Sequence, residues 1–349
     1  MISRESNRRS FIKKSILGTG AAILGPSQLI TAAEHPGQDS EQKLPREVWI
    51  ATLSQQGMVA ENHKEMIKVV TGHIRQLAIY HPDIYCLPET FPFVNNVVKI
   101  PDLKEIAESV KDGGPIISEF SNLAKELNAY IICPVYITEN GKYYNSAVII
   151  DRNGSVAGEY RKIHPAPGEI EIGITPGPPD PPVFITDFGT IGIQICFDIK
   201  WQDAWKKLSH KGAEIVFWPS AFAGGKMLKT MAWLNQYYTV SSPWKDTARI
   251  CDISGEELAW TGRWAPNWIC APVNLEKVFL HAWPFCERFD EVHYKYGKKV
   301  RIQLFHEEEW ATIESRSPDI KVADIIKEFD FKIQKDYLRE AEKTQNRTI

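Results

Sequence analysis

The 349-residue chain is 43% hydrophobic and 24% charged, with a formal net charge of −3. That is a globular composition, neither disordered nor fibrous, and a chain this long buries a sizeable core. Neither a basic excess nor a long run of Lys and Arg points to nucleic acid.

The N-terminus reads as a targeting segment. Asn7 to Lys13 (NRRSFIK) carries adjacent arginines, Arg8 and Arg9, followed by apolar residues and a lysine. A Gly- and Ala-bearing apolar stretch, Ser15 to Leu24, comes next, and Thr31-Ala32-Ala33 offers small residues for cleavage. This pattern resembles a twin-arginine export signal. It predicts a periplasmic or otherwise extracytoplasmic protein whose mature chain begins near Glu34. The apolar stretch is too short for a membrane span, so no stable span is expected in the mature chain. Residues 34–45 read as a polar linker.

Glu47 to Leu53 (EVWIATL) predicts a first strand. Asn62 to Tyr80 places Met66, Val69, Val70, Ile74 and Leu77 at helical spacing. Asp83 to Leu87 is a short apolar strand ending at Pro88-Glu89-Thr90. Ser118 to Asn128 predicts a second amphipathic helix, and Ala129 to Thr138 and Tyr144 to Asp151 predict strands. Asn153-Gly154 marks a tight hairpin turn into Ser155 to Ile163. Pro165 to Pro182 is a loop rich in Pro and Gly. A second hairpin at Asp187 to Thr190 leads into Ile191 to Ile195, a buried strand running straight into Cys196. Gln202 to Lys211 is a helix capped by Gly212, and Ala213 to Trp218 is a further strand. Leu228 to Tyr238 reads as a helix and Ala248 to Ile253 as a strand. Beyond Val300 the chain becomes a charged tail with one amphipathic helix near Val322 to Leu338. Strands alternating with helices over short loops indicate an α/β protein.

Six cysteines are present, none in a C-x-x-C pair, so a zinc site is not expected. Most sit in apolar runs and are expected to be buried free thiols.

Three polar residues stand just past apolar strands: Glu89, Lys162 and Cys196. Ligands of α/β sheets bind beyond the carboxyl ends of strands. A carboxylate, an ammonium and a thiol gathered there suit acyl transfer. Each alone is weak evidence: a Glu after a strand is usually solvated, a Lys beside Arg161 is usually surface charge, and a Cys in an apolar run is usually inert. Their joint occurrence carries the reading. His164 offers a competing Cys–His arrangement, although the sequence shows no evident Asn or Asp to orient it. Asp198 reads as a helix cap.

These segments resemble the nitrilase, or carbon–nitrogen hydrolase, superfamily, from about Glu47 to Lys277. The matching elements are Cys86-Leu87-Pro88-Glu89-Thr90-Phe91, Tyr160-Arg161-Lys162-Ile163-His164, Pro167-Gly168-Glu169, Ile193-Gln194-Ile195-Cys196-Phe197-Asp198, and the strand ending Trp218-Pro219-Ser220-Ala221. The resemblance implies a four-layer α-β-β-α sandwich over residues 46–300, with 301–349 as a tail packing on the core or on a partner subunit. It implies a homodimer or higher homo-oligomer. It implies Cys196 as nucleophile, Glu89 as base and Lys162 with the Phe197 backbone N–H as oxyanion donors. Glu169 would support Lys162, with no metal and no cofactor. Phe91, Tyr136, Trp218 and Ser220 are the candidate substrate contacts. The sequence departs from the family where Met231-Ala232-Trp233-Leu234-Asn235 replaces an Arg-Ala-x-Glu-Asn segment, and at Asp198-Ile199-Lys200-Trp201-Gln202. The expected substrate is a linear amide or an N-carbamoyl compound. A nitrile, an acyl transfer to an amine, and a catalytically silent binding subunit stay open as alternatives. The Trp260 to Trp268 segment reads equally as a pocket lid or a subunit interface.

Overall fold

The computed structural model describes residues 43–98, 101–262, 264 and 266–347. The expected export segment, 1–33, and nearly all of the linker lie outside the described residues.

The apolar run Glu47–Leu53 forms β1. His63–Leu77 forms α1, burying Met66, Val70, Ile74 and Leu77, and the Asn62 side chain caps it by accepting from Lys64 N and Glu65 N. After β2 (Ile84–Cys86) come α2 (Leu103–Ile106) and α3 (Pro115–Leu127). Helix α3 begins at Pro115 rather than Ser118. Proline suits the first helical position, and the buried Glu108 carboxylate accepts the Ile116 and Ile117 N–H groups. A meander follows: β3 (Tyr130–Glu139), β4 (Lys142–Ile150) and β5 (Val156–Arg161). Its second turn places Gly154 at φ +78°, where it donates to Asp151 O at 2.9 Å. The expected loop from Pro165 contains a short helix, α4 (Pro167–Glu171).

The second half runs β6 (Val183–Ile185), β7 (Thr190–Ile193), α5 (Gln202–His210), β8 (Ile215–Ser220), α6 (Lys226–Asn235), β9 (Tyr238–Pro243), β10 (Arg249–Cys251), β11 (Glu257–Trp260) and β12 (Trp268–Asn274). The C-terminal part adds β13 (Lys277–His281), α7 (Phe289–Tyr296), β14 (Val300–Phe305), β15 (Trp310–Ser315), α8 (Val322–Glu328) and α9 (Gln334–Asn346).

Two six-stranded sheets result, ordered β12-β1-β2-β3-β4-β5 and β11-β10-β9-β8-β7-β6. Strands β1, β2 and β3 are parallel, as are β7, β8 and β9. Side chains alternate between faces along each strand. In β4, Ala147 and Ile149 enter the layer between the sheets, whereas Val148 and Ile150 face α1 and α3. In β8, Ile215 and Phe217 face inward, whereas Val216 and Trp218 pack under α5 and α6. Three apolar layers thus separate four structural layers, α-β-β-α, as expected. The sheets meet at their carboxyl ends: Thr52 Oγ1 donates to Ser241 O, and Ser242 Oγ donates to Leu53 O and Cys86 O. This is where β2 delivers Glu89 and β7 delivers Cys196.

The structure corrects three expectations in the second half. The helix expected to reach Tyr238 stops at Asn235, because Gln236 turns left-handed (φ +57°), and Tyr238 starts β9, an unforeseen central strand. Every residue of β9 is buried, so it lacks the alternation that betrays a half-exposed strand. The tail beyond Val300 is folded: β14 and β15 join β13 in a third sheet, ordered β13-β15-β14, with its own core around Phe289, Val292, Ile313 and Ile325. This sheet meets α6 through Trp233, which packs against Phe279, Phe305 and Trp310 with centroids 4.9–5.4 Å away. The single helix expected over Val322 to Leu338 is two helices, separated where Asp330 takes φ +52°.

All six cysteines are free thiols; Cys86, Cys133, Cys196 and Cys251 are buried. Among the described residues, no helix is long and apolar enough to cross a membrane.

Candidate active site

Lys162 follows the last residue of β5, whose Arg161 pairs with Ser146 of β4. That register sets Lys162 beside Asn145, and the Lys162 N–H donates to Asn145 O at 2.9 Å. Across the other edge of β4, Asn145 pairs with Tyr136 of β3. Tyr136, Asn145 and Lys162 therefore stand in one row at the edge where β2 ends in Glu89.

The Lys162 ammonium is buried and held by two carboxylates. Nζ donates to Glu89 Oε1 at 2.8 Å and to Glu169 Oε2 at 2.6 Å. Asn145 Nδ2 spends one hydrogen on each of the same carboxylates, Glu89 Oε1 at 2.8 Å and Glu169 Oε1 at 2.7 Å. Glu169 is fixed by α4, because its Oε2 also accepts the Ala166 N–H that opens this helix. Buried polar groups are normally partnered. Among the carboxylate oxygens of this pair, Glu89 Oε2 has no partner. The Cys196 thiol lies close enough to Glu89 for the two groups to shift each other's titration.

Cys196 occupies a left-handed backbone position (φ +45°), uncommon for a residue with a side chain. The turn is pinned from several sides. Trp218 Nε1 donates to Cys196 O at 3.0 Å. Buried Asp198 accepts from Ile195 N (2.9 Å), Tyr160 Oη (2.7 Å) and His164 N (2.8 Å). Asp198 thus ties the elbow to the end of β5, a wider role than the expected helix cap. Thr90, next to Glu89, is a second left-handed position (φ +41°), and Trp244 Nε1 donates to Glu89 O.

Charge and burial set the protonation states. Burial pushes the Cys196 thiol up to about 12, Glu89 adds to this, and Lys162 opposes it. Glu89 is raised above the usual carboxylate value chiefly by burial, with Lys162 pulling the other way and Glu169 reinforcing the rise. Burial disfavours the Lys162 ammonium, but Glu89, Cys196 and Glu169 outweigh it and hold the lysine above its ordinary value. The resting site therefore holds a neutral thiol and a firmly charged ammonium on either side of Glu89.

The structure brings Glu89, Lys162, Glu169 and Cys196 together, with the Phe197 N–H in the first turn of the 3-10 helix Cys196–Lys200. Of the expected substrate contacts, Ser220 lies near enough to the Cys196 thiol to ease its ionisation, and Tyr136 lies near enough to Glu89 to feel its charge. Burial pushes the Tyr136 hydroxyl up to about 12, with Glu89 adding to it, so it stays a neutral donor. Phe91 and Trp218 are corrected: both are fully buried in the outer helix–sheet layers. Phe91 packs edge-on to Phe120, and Trp218 supports the elbow from behind. His164 does have an orienting acid, since its Nδ1 lies 2.9 Å from Asp198 Oδ1. Its ring stacks on Trp201 at 4.1 Å, however, while the groups acting on the Cys196 thiol are Glu89, Lys162, the Ala221 backbone and Ser220. Sequence reasoning missed Asn145 and Trp244. A polar Asn145-Ser146 pair inside the apolar run YYNSAVII was the available signal for the first. The Trp260 to Trp268 segment joins β11 to β12, and its Asn267 bonds to Ser54 N and Gln56 O; Arg263 and Ala265 lie outside the described residues.

Ala221 and Trp244 also line a cavity of about 470 Å³, together with Gln56, Gly57, Val94, Asn95 and Lys245.

A family model described as carbon-nitrogen hydrolase matches residues 50–278. The chain is 28% identical over 180 residues to a deaminated glutathione amidase of Dictyostelium discoideum, covering 46% of this chain and 62% of that protein. It is 38% identical over 112 residues to an N-carbamoylputrescine amidase of Solanum tuberosum, covering 31% and 37%. The matches thus span less than two thirds of these relatives' lengths. Among solved structures, Saccharomyces cerevisiae Nit3, a member of branch 10 of the nitrilase superfamily, superposes with a TM-score of 0.58 at 19% identity, covering 73% of this chain and 96% of that one. A carbon-nitrogen hydrolase from Helicobacter pylori G27 superposes with a TM-score of 0.57 at 21% identity, covering 72% and 93%. At these identities the superpositions establish the shared fold.

Proposed function

The chain belongs to the carbon–nitrogen hydrolase family, and we propose that it hydrolyses a non-peptide carbon–nitrogen bond, in a linear amide or an N-carbamoyl compound, through a Cys196 thioester. One observation carries the reading. Fixed donors occupy three of the four oxygens of the Glu89–Glu169 pair, the fourth, Glu89 Oε2, is left without a partner, and the Cys196 thiol is close enough to Glu89 for the two groups to shift each other's titration.

With its pKa pushed to about 12, the thiol needs a base at neutral pH. Glu89 takes the proton as Sγ attacks the carbonyl carbon. The oxyanion receives hydrogen bonds from Lys162 Nζ and the Phe197 N–H, and such a donor is typically worth about 10²–10³ in turnover. The carbon–nitrogen bond breaks, and the leaving nitrogen takes the proton from Glu89. Water then attacks the thioester, giving a proton to Glu89. The carbon–sulfur bond breaks, the acid leaves, and the proton returns to Cys196. Glu169 and Asn145 keep Lys162 and Glu89 in place throughout. Relatives named as amidases support the amide and N-carbamoyl classes over a nitrile.

The test is ammonia release by the purified protein and by Cys196→Ala over amides, N-carbamoyl compounds and nitriles. Release from the first two classes, abolished in the variant, is expected. Release confined to nitriles, or persisting in the variant, would overturn the proposal. Export by the twin-arginine route is a companion proposal resting on Arg8 and Arg9. Arg8→Lys with Arg9→Lys should leave the precursor in the cytoplasm, and normal export of that double variant would refute it.

A further inference from the structure

The reacting groups reach the site from two different sheets. Glu89 follows β2, Asn145 lies in β4 and Lys162 follows β5, all in the first sheet. Their mutual hydrogen bonds make them one rigid half. Cys196 comes from beyond β7 of the second sheet, and its turn is held by Trp218 of β8. The spacing between ammonium and sulfur therefore depends on what joins the halves. On the Glu89 flank Trp244 joins them, since its Nε1 donates to Glu89 O. On the Lys162 flank the join is the side chain of Asp198.

Asp198 is fully buried, and donors from both halves fill its two oxygens. Oδ2 accepts from Ile195 N at 2.9 Å and from Tyr160 Oη at 2.7 Å. Oδ1 accepts from His164 N at 2.8 Å and faces His164 Nδ1 at 2.9 Å. A carboxylate offers acceptors only, so the imidazole proton sits on Nδ1. Ile195 immediately precedes Cys196, whereas Tyr160 and His164 stand two residues before and two after Lys162. One carboxylate thus grips the turn that carries the thiol and, on both sides, the strand end that carries the lysine. The grip is stiffened from behind. Gln194 Nε2 donates to Tyr160 Oη at 3.0 Å, burial keeps that phenol protonated, and the His164 ring stacks on Trp201, 4.1 Å away. Bonds to a buried carboxylate are short and strong, and removing one donor strands a buried acceptor.

We propose that Asp198 is a positioning residue of the reaction: through Tyr160 and His164 it sets the distance between Lys162 Nζ and Cys196 Sγ, and so places the oxyanion within reach of its ammonium donor. This rests on the hydrolase reading and adds to it a residue that acts on the site only through its neighbours. The same distance governs the resting thiol, because Lys162 opposes the rise that burial and Glu89 impose on it. Loosening the grip should draw the two groups apart, which costs turnover and leaves the thiol harder to ionise. A purely structural bond predicts the opposite for the thiol: a slackened turn would expose Cys196 and make it more reactive.

The experiment compares Tyr160→Phe, Asp198→Asn and His164→Ala with Tyr238→Phe. The last is a control that loses another buried tyrosine's bond, to Asn274 O at 2.7 Å, away from these residues. On the best amide or N-carbamoyl substrate, kcat should fall about tenfold in Tyr160→Phe and about a hundredfold in Asp198→Asn, with KM little changed. His164→Ala keeps its backbone bond and should lose less, and Tyr238→Phe should match the wild type. Adding Tyr160→Phe to Asp198→Asn should cost little more, because the two residues act as one unit. Iodoacetamide labelling of Cys196 at pH 8 reads the geometry without any substrate. It should be slower than wild type in Tyr160→Phe, a substitution that changes no charge. Where Asp198→Asn does not fold, Tyr160→Phe and its control carry the test alone. Wild-type kcat in Tyr160→Phe, an equal loss in Tyr238→Phe, or labelling of Tyr160→Phe at or above the wild-type rate would overturn the proposal. Slower labelling in a protein that hydrolyses none of the substrates upholds the grip and counts against the hydrolase reading alone.

Discussion

Asn145 and Lys162 are joined twice over: the Lys162 N–H donates to Asn145 O, and both side chains donate to the same oxygen, Glu89 Oε1. One amide thus fixes the spacing between the ammonium and the two carboxylates that hold it. Asn145→Ala removes both side-chain donors while leaving the backbone bond. The freed carboxylates shift, and Lys162 follows them. A displacement of about 1 Å in such a constellation costs on the order of a hundredfold. The expected loss is therefore in kcat, with KM little changed, as steady-state kinetics on a neutral amide would read. A variant with wild-type kcat would show that Glu169 and α4 alone position Lys162.

Glu89 plays two opposed parts toward Cys196. As base it makes turnover possible, yet its negative charge raises the thiol, second only to burial. Glu89→Gln separates the two. Turnover should drop by about 10²–10⁴, the usual worth of a positioned general base. The thiol should become easier to ionise, because Lys162 then acts on it unopposed by Glu89. Iodoacetamide should accordingly label Cys196 faster in the variant than in the wild type at pH 8. Slower labelling would mean that Glu89 ionises the resting thiol, contrary to the neutral state derived above.

The pH profile follows from the direction of the shifts. Glu89 works as a carboxylate, and its pKa is raised, first by burial. Activity should therefore fall on the acid side as pH drops through a value above the ordinary ~4.3 of a glutamate. Trp244→Ala opens the wall beside Glu89 and admits water, so the acid limb should move to lower pH. On the alkaline side Lys162 is held above its ordinary ~10.4 and the thiol lies near 12, so neither group should impose a limb in the range where an ordinary lysine titrates. An acid limb unmoved in Trp244→Ala would assign it to another group.

What the sequence revealed of this site came from strand ends. Glu89, Lys162 and Cys196 were legible because a polar residue directly after an apolar strand is forced to the sheet edge, whatever the loops do. Asn145 was hidden inside a strand, where nothing local says which polar neighbour lies across the sheet. Phe91 and Trp218 were misread because adjacency along the chain does not say which face a side chain takes. Phe91 turns into the α1–α3 layer, and Trp218 falls on the outward phase of β8. Strand β9 was lost because a strand buried on both faces has no period to detect. The C-terminal sheet was lost because its partner β13 lies upstream of the charged stretch, so pairing rather than local pattern creates it.

Gly177 controls the last support of Lys162. Its N–H donates to Lys162 O at 2.8 Å, so the Pro-rich loop closes directly over the end of β5. A Cβ added at Gly177 would lie 2.3 Å from Arg161 O and 2.8 Å from Arg161 Cβ. Arg161 cannot yield easily. Its guanidinium is tied to Glu159 and Glu139 and lies 4.2 Å from the centre of the Tyr144 ring. Gly177→Ala must therefore push away either the loop or the strand end that carries Lys162. Overpacking of this kind costs about 1–3 kcal/mol, and urea unfolding should show a loss in that range together with reduced turnover. Gly72, in the middle of α1, is the matched control, since a Cβ there meets nothing within 4 Å. Gly72→Ala should stabilise by roughly 0.5–1 kcal/mol with turnover unchanged. Equal stability of the two variants would mean that the loop relaxes around Gly177 without disturbing Lys162.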